Sequence, residues 1–118
     1  MSRIEQFIIK STRLHVCNGV FSCHILLKAT HKEMVFGGFY LDKYCPLESR
    51  RMGIGFGTEL LKRVIEVIGS PDWESLSGKE CRALVNGPSV LAIGHITDNK
   101  WFNPTEMYAD FERKENIG

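Results

Sequence analysis

The sequence predicts an α+β fold, in which an antiparallel sheet of about five strands carries one main amphipathic helix. Segments rich in β-branched and aromatic residues fall into two groups, at 4–41 and 79–97. Between them, segment 59–68 repeats apolar residues at helical spacing. Consecutive strands are too close in sequence for parallel crossovers, so their pairing is antiparallel. A length of 118 residues fits one domain, expected to span 1–118 with a polar tail from about residue 112.

The first group of strands contains three members. Segments 4–16 and 20–29 flank Asn18-Gly19, a strong hairpin signal because both residues tolerate positive φ. Segment 34–41 forms the third strand. Its Gly37-Gly38 pair is costly inside a strand and predicts a bulge or a close approach by another chain or ligand.

The helix is predicted from about residue 59 to residue 68, after an irregular segment 42–57. The Thr58 hydroxyl is expected to cap its start by accepting a backbone N–H. Gly69 suits the residue just beyond the helix, and Pro71 prevents continuation.

The second group of strands is predicted as a hairpin around Asn86-Gly87-Pro88, which gives the order βββ-α-ββ. One helix cannot cover a five-stranded sheet. We therefore expect Phe36, Phe39 and Tyr40 to lie on an uncovered face, and we predict a homo-oligomer because exposed apolar patches commonly mark interfaces.

The composition narrows the function classes. Fifteen Lys and Arg against fourteen Asp and Glu give a net charge of +1, which argues against a strongly basic nucleic-acid binder but leaves room for a local basic patch. The first ten residues lack a signal-peptide pattern, and no apolar run reaches membrane-spanning length. We expect a cytoplasmic protein without a membrane partner, with free thiols, no cofactor and no metal. The spacing of Cys17, Cys23 and His24 does not match a structural zinc site.

An arginine- and glycine-rich segment is the strongest local candidate for a ligand site. Helix N-termini, close-approaching glycine backbones and arginine side chains all favour phosphate. The pattern is neither a Walker A motif nor a dinucleotide-binding fingerprint. A connecting loop, or a contact with an acidic partner protein, stays open as the alternative. The residues concerned are Arg50, Arg51, Gly53, Gly55, Gly57 and Thr58.

The second candidate lies towards the C-terminal end. His95 and Asp98 suggest acid–base chemistry, but no Ser or Cys nucleophile adjoins them. Trp101 is expected either to stack on a base of the ligand or to close the core beside Phe102. Phe39 is a second candidate for stacking on the ligand. Arg82 completes the candidate ligand-binding residues. Nothing assigns a nucleophile and base, so the prediction is a non-enzyme, with a small hydrolase using His95 and Asp98 left open.

Residues 34–104 contain a further pattern, made up of the following stretches: Phe36-Gly37-Gly38-Phe39, Phe56-Gly57, Leu60-Leu61, Arg63 to Gly69, Trp73-Glu74, Leu76, Gly78-Lys79, Arg82, Ala92 to Ile96, Asp98 and Trp101-Phe102. In this pattern the chain resembles small proteins encoded by bacteriophages and prophages.

The resemblance implies a counter-defence role inside an infected bacterium. Such proteins either sequester a cyclic nucleotide or ADP-ribose-derived immune signal, as the Thoeris anti-defence sponges do, or bind and block a host immune protein, as anti-CRISPR proteins do. The arginine- and glycine-rich segment favours the sponge. A phage structural or assembly protein is a further alternative.

Overall fold

A computed structural model describes residues 2–117 of the chain, with side chains through residue 113. The elements, in chain order, are β1 (Ser2–Cys17), β2 (Val20–Lys28), β3 (Glu33–Tyr40), β4 (Asp42–Cys45), β5 (Arg50–Gly53), α1 (Gly55–Ile68), a 3-10 turn (Glu74–Leu76), β6 (Glu80–Asn86), β7 (Ser89–Gly94), β8 (Trp101–Phe102) and α2 (Pro104–Ile117).

The predicted α+β class is confirmed, with more elements than expected. Six strands form one antiparallel sheet in the order β3-β2-β1-β6-β7-β8, and β4 and β5 form a separate hairpin. The predicted irregularity of residues 42–57 is therefore wrong, since this segment contains β4, β5 and the first turn of α1.

The large sheet curls until its two edges approach each other. Phe36 on β3 and Phe102 on β8 lie edge to face, with ring centroids 6.4 Å apart, although these strands stand at opposite ends of the sheet order. Leu60 and Val64 of α1 are fully buried in the resulting core. Our prediction that Phe36 lies on an uncovered face is therefore wrong: closure of the sheet leaves it 1% exposed.

Local signals account for the ends of several elements. Asn18 and Gly19 have positive φ in the β1–β2 turn, as predicted. Gly69 has a φ of 83° and donates its N–H to the carbonyl of Ile65, which confirms the predicted end of α1. The predicted Thr58 cap is wrong, because α1 already begins at Gly55 after an extended Ile54 that makes no side-chain cap bond.

The predicted bulge at Gly37-Gly38 is confirmed. His24 faces Gly37 and Cys23 faces Phe39, which leaves Gly38 as the extra residue, with a φ of 78°. A Cβ on Gly37 would lie 2.6 Å from the Cys23 carbonyl oxygen, so only glycine fits there.

The C-terminal segment forms a helix where the sequence predicted a polar tail. The Asn103 side chain accepts the Thr105 N–H at 3.0 Å and so caps α2. Phe111 and Tyr108 pack edge to face on Phe56 of α1. Helix α2 continues through the predicted polar tail as far as Ile117, and Gly118 lies outside the described residues. Within 2–117, neither helix has the length and apolarity needed to span a bilayer.

Candidate functional site

One arginine of the predicted phosphate-binding segment, Arg51, is held by contacts within the protein. The Nε of Arg51 donates to Oδ1 of Asp42 at 2.9 Å, and its Nη2 donates to the Asp42 backbone carbonyl at 3.1 Å. The same guanidinium lies 5.8 Å from the centroid of the Tyr40 ring. Arg51 therefore fastens the β4–β5 hairpin, while Arg50 is exposed.

Asp42 is the anchor of this contact. Its Oδ2 accepts the backbone N–H of Phe21 at 2.9 Å, which ties β4 to β2. The hydrogen bond from Arg51 is the largest of the effects that hold the pKa of the Asp42 carboxyl below its usual range. The Asp42 carboxylate therefore pairs with the Arg51 guanidinium, the group that the sequence predicted would bind phosphate.

The glycines of this segment serve packing more than ligand approach. A Cβ on Gly57 would lie 2.4 Å from the backbone oxygen of Leu41, so α1 rests directly on the chain before β4. Gly55, at the start of α1, lies against the ring of Phe111. Gly53 has open space around it, and Thr58 is an exposed residue inside the helix.

Four other predicted residues do come together, and we call Arg82, His95, Asp98 and Trp101 the Arg82 cluster. Arg82, Gly94 and Trp101 occupy one row across β6, β7 and β8. The indole lies on Gly94, where a Cβ would come within 2.7 Å of it, and the Arg82 guanidinium carbon lies 5.1 Å from the ring.

The hydrogen bonds of the Arg82 cluster hold a loop. Arg82 donates from Nε to the His95 carbonyl and from Nη2 to the Asp98 carbonyl, both at 2.7 Å. The Nδ1 of His95 accepts the backbone N–H groups of Thr97 at 3.2 Å and Asp98 at 3.0 Å. Nδ1 of His95 therefore acts as a hydrogen-bond acceptor within this loop.

This arrangement does not build the acid–base pair that His95 and Asp98 suggested. The imidazole is bound by the Asp98 backbone, and the Asp98 carboxylate lies beside the Thr97 hydroxyl at 3.3 Å. The Arg82 cluster therefore clamps residues 95–100 against the sheet. Phe39 contributes to packing too, since its ring lies edge to face on Phe36 at 5.2 Å.

A cavity that the sequence did not reveal lies at the middle of β1. Ile8 faces both Lys28, where β2 ends, and Glu80, where β6 begins. The space between the departing strands has a volume of about 610 Å³. We call it the lysine cavity; it is lined by Gln6, Phe7, Ile8, Ile9, Lys10, Lys28, Ala29, Thr30, Gly78, Glu80 and Ile96.

The two lysines of the lysine cavity differ in whether a carboxylate of the protein already pairs with them. Lys10 pairs with Glu33 of β3 at 3.0 Å. The Lys28 ammonium forms no hydrogen bond or ion pair with any residue whose side chain is described. Lys28 is therefore the cation of this cavity that an anionic ligand can engage without displacing a protein carboxylate.

A histidine pair stands on the convex face of β1 and β2. His15 Nε2 lies 2.9 Å from His24 Nδ1 and 3.3 Å from the Ser22 hydroxyl. Desolvation, followed by the charge of Arg13, lowers the pKa of His15. A nucleophile–base relay needs the two partners at different ring nitrogens, whereas here both face Nε2, so the pair does not activate Ser22.

The cysteines do not supply a nucleophile from the core. Burial raises the pKa of Cys23 to about 11 and that of Cys81 to about 12, which keeps both thiols protonated at neutral pH. Cys17 is exposed and Cys45 is half-buried, so these two thiols lie outside the core. Within the described part of the chain, no three His, Cys, Asp or Glu side chains are grouped to hold a metal.

Comparison of the chain with protein-family models, with curated proteins and with solved structures finds no match.

Proposed function

We propose that this chain is a non-catalytic binding protein that sequesters a cyclic nucleotide or ADP-ribose-derived immune signal in the cytoplasm of an infected bacterium. The observation that carries the proposal is the lysine cavity. The phage resemblance supplies the counter-defence setting, and the cavity replaces the arginine- and glycine-rich segment as the place where the ligand binds.

The size and lining of the lysine cavity suit a nucleotide. Ligand pockets have volumes of about 300–1,000 Å³, and this cavity has about 610 Å³. Ile8 and Ile96 offer apolar surface to a base or ribose. Lys28 offers a charge-assisted hydrogen bond to phosphate, and the Thr30 hydroxyl offers a neutral one.

The rest of the described chain favours binding over turnover. His95 is committed to backbone N–H groups, and the two buried thiols stay protonated. A sponge needs tight binding with the ligand left intact, and this chemistry is consistent with that requirement.

Calorimetry against a panel of cyclic dinucleotides and cyclic ADP-ribose isomers tests the proposal. We expect at least one ligand to bind, and Lys28→Ala to weaken it by about tenfold or more, because hydrogen bonds to charged groups contribute roughly 1.5–3 kcal/mol. The matched control is Lys62→Ala, which removes an exposed lysine of α1 and is expected to bind like the wild type.

The recovered ligand is expected to be chemically unchanged by mass spectrometry. A folded protein that gives no binding heat with any member of the panel contradicts the proposal. If Lys28→Ala binds the ligand as tightly as the wild type does, the ligand does not bind in the lysine cavity.

A direct inhibitor of a bacterial immune complex is the second candidate. It is favoured by Ile4 and Ile8, which are 56% and 47% exposed on the convex face of β1. Recovery of a stoichiometric immune protein by the wild type from a bacterial lysate, and its loss in Ile4→Glu, supports this alternative.

A further inference from the structure

Strand β1 is paired on both sides, but on each side along only part of its length. Residues Ser2 to Ile8 pair with β6, and residues Ile8 to Cys17 pair with β2 on the opposite side. On the β6 side, the last backbone bonds are those that join Ile9 to Lys79 and Gly78. Beyond Ile9, no backbone bond joins that side of β1 to another residue within 2–117.

The pairing of β2 shows which groups point to this unpaired side. Phe21 directs its N–H and C=O towards Asp42 and Leu41, on the β3 side of β2. The residues of β2 that alternate with it, Ser22 and His24, must therefore bond to β1, through His15 and Arg13.

It follows that Thr12, Leu14 and Val16 direct their backbone groups outward. We call the unpaired side of residues Ser11 to Cys17 the free edge.

The free edge lacks several of the features that protect a strand from pairing. Natural edges are blunted by proline, by charged side chains, by β-bulges or by short length. Of these, the free edge has the charge of Arg13 and the bulge between Ile9 and Ser11 that precedes it. Here Leu14 and Val16 face the concave side and are 41% and 68% exposed. Arg13 points to the convex side, and the free edge contains no proline and no acidic residue.

The whole molecule exposes more surface than a monomer of its mass is expected to expose. Its accessible area is 7,600 Å², against about 6,500 Å² for a folded monomer of this mass. Its radius of gyration is 15.0 Å, against about 13.5 Å for a compact domain of this length. The excess, about 1,100 Å², is of the order that each partner loses in a stable interface.

We propose that a second copy of this chain pairs with the free edge, antiparallel and about a twofold axis at Leu14. This register places Leu14 beside Leu14 of the second copy and Thr12 beside Val16. Arg13 then lies opposite His15 of the second copy. The two arginines at position 13 therefore do not face each other. Two three-stranded units, β3-β2-β1 from each copy, become one continuous six-stranded sheet.

Sedimentation velocity of the full chain tests this proposal. The wild type is expected at twice the 13.4 kDa of one chain. Val16→Lys is expected at the mass of one chain, because it places a charge inside the interface. Val35→Lys, the same change at a 52% exposed valine on the convex face of β3, is expected to remain a dimer.

Cross-linking tests the register independently of any loss of stability. In the proposed pairing, Ser11 faces Cys17 of the second copy as a non-hydrogen-bonded pair, close enough for a disulfide. Mild oxidation of Ser11→Cys is expected to give a covalent dimer, and Ser89→Cys at the start of β7 is expected to give none. A monomeric wild type, or a Val16→Lys dimer, overturns the proposal, and a monomer leaves the free edge open to a strand of another protein.

Discussion

Gly57 shows how a single missing Cβ positions a helix. The backbone of α1 lies so close to Leu41 that an added methyl group would overlap its carbonyl oxygen. The sequence presented this glycine as part of a phosphate loop, because glycine spacing alone does not distinguish backbone packing from ligand approach.

We expect Gly57→Ala to destabilise the protein. Overpacking against backbone costs about 1–3 kcal/mol, which outweighs the gain in helix propensity of about 1 kcal/mol at most. Urea denaturation measures the difference. Gly53→Ala is the control, since open space surrounds Gly53, and a Gly57→Ala protein as stable as the wild type contradicts the packing role.

The Arg51–Asp42 pair predicts a pH dependence of stability. The folded-state pKa of Asp42 lies below its ordinary value of 3.8, so its contribution is present above that value and is lost as the pH falls through the folded-state pKa. We expect the difference in stability between wild type and Asp42→Asn to be largest at neutral pH and to shrink below pH 3.8.

Urea denaturation of both proteins at several pH values measures this difference. Asp110→Asn, which alters an exposed ion pair of α2, is expected to have little effect at any pH. A difference at Asp42 that does not change with pH contradicts an ionised anchor.

Among the secondary-structure elements, the sequence predicted a turn, a helix end and a bulge, whose conformations depend on neighbouring residues. Asn18-Gly19, Gly69 and the Gly37-Gly38 bulge were all predicted, because positive φ and chain termination depend on near neighbours. Helix α2 was missed even though Asn103 and Pro104 form a standard helix start. Met107, Tyr108 and Phe111 do stand at helical spacing, but the polar composition of the segment led to its interpretation as a tail.

The longer-range features could not be predicted in this way. The exposure of Phe36 depends on closure of the sheet against Phe102, some 66 positions further along the chain. The lysine cavity arises where β2 and β6 leave opposite sides of β1, so its lining is collected from distant segments. The four residues of the Arg82 cluster were each candidates from the sequence, but their grouping depends on the pairing of β6, β7 and β8. Their role as a loop clamp depends on hydrogen bonds to backbone carbonyls.

If the Arg82 cluster clamps the loop, loss of Arg82 should loosen residues 95–100. Arg82→Gln removes the fork that binds the His95 and Asp98 carbonyls and the cation above the indole of Trp101. We expect faster amide hydrogen exchange across residues 95–100, with exchange in β2 unchanged. Arg63→Gln on the exposed face of α1 is the control, and unchanged exchange in the loop contradicts the clamp.

At the scale of the whole molecule, a cavity and a free edge lie on the same long strand. The lysine cavity is lined by residues of β1 as far as Lys10, and the free edge begins at the next residue, Ser11. The near-zero net charge does not oppose binding of an anion, because the charge that counts is local and Lys28 is available.

Native mass spectrometry of protein purified from a bacterium that produces a cyclic nucleotide immune signal tests whether the lysine cavity holds such a ligand. The wild type is predicted to carry a phosphorylated small molecule that is released intact on unfolding, and Lys28→Ala is predicted to be recovered without it. Wild-type protein that is folded but free of ligand, although the signal is present in the same cells, would contradict the account.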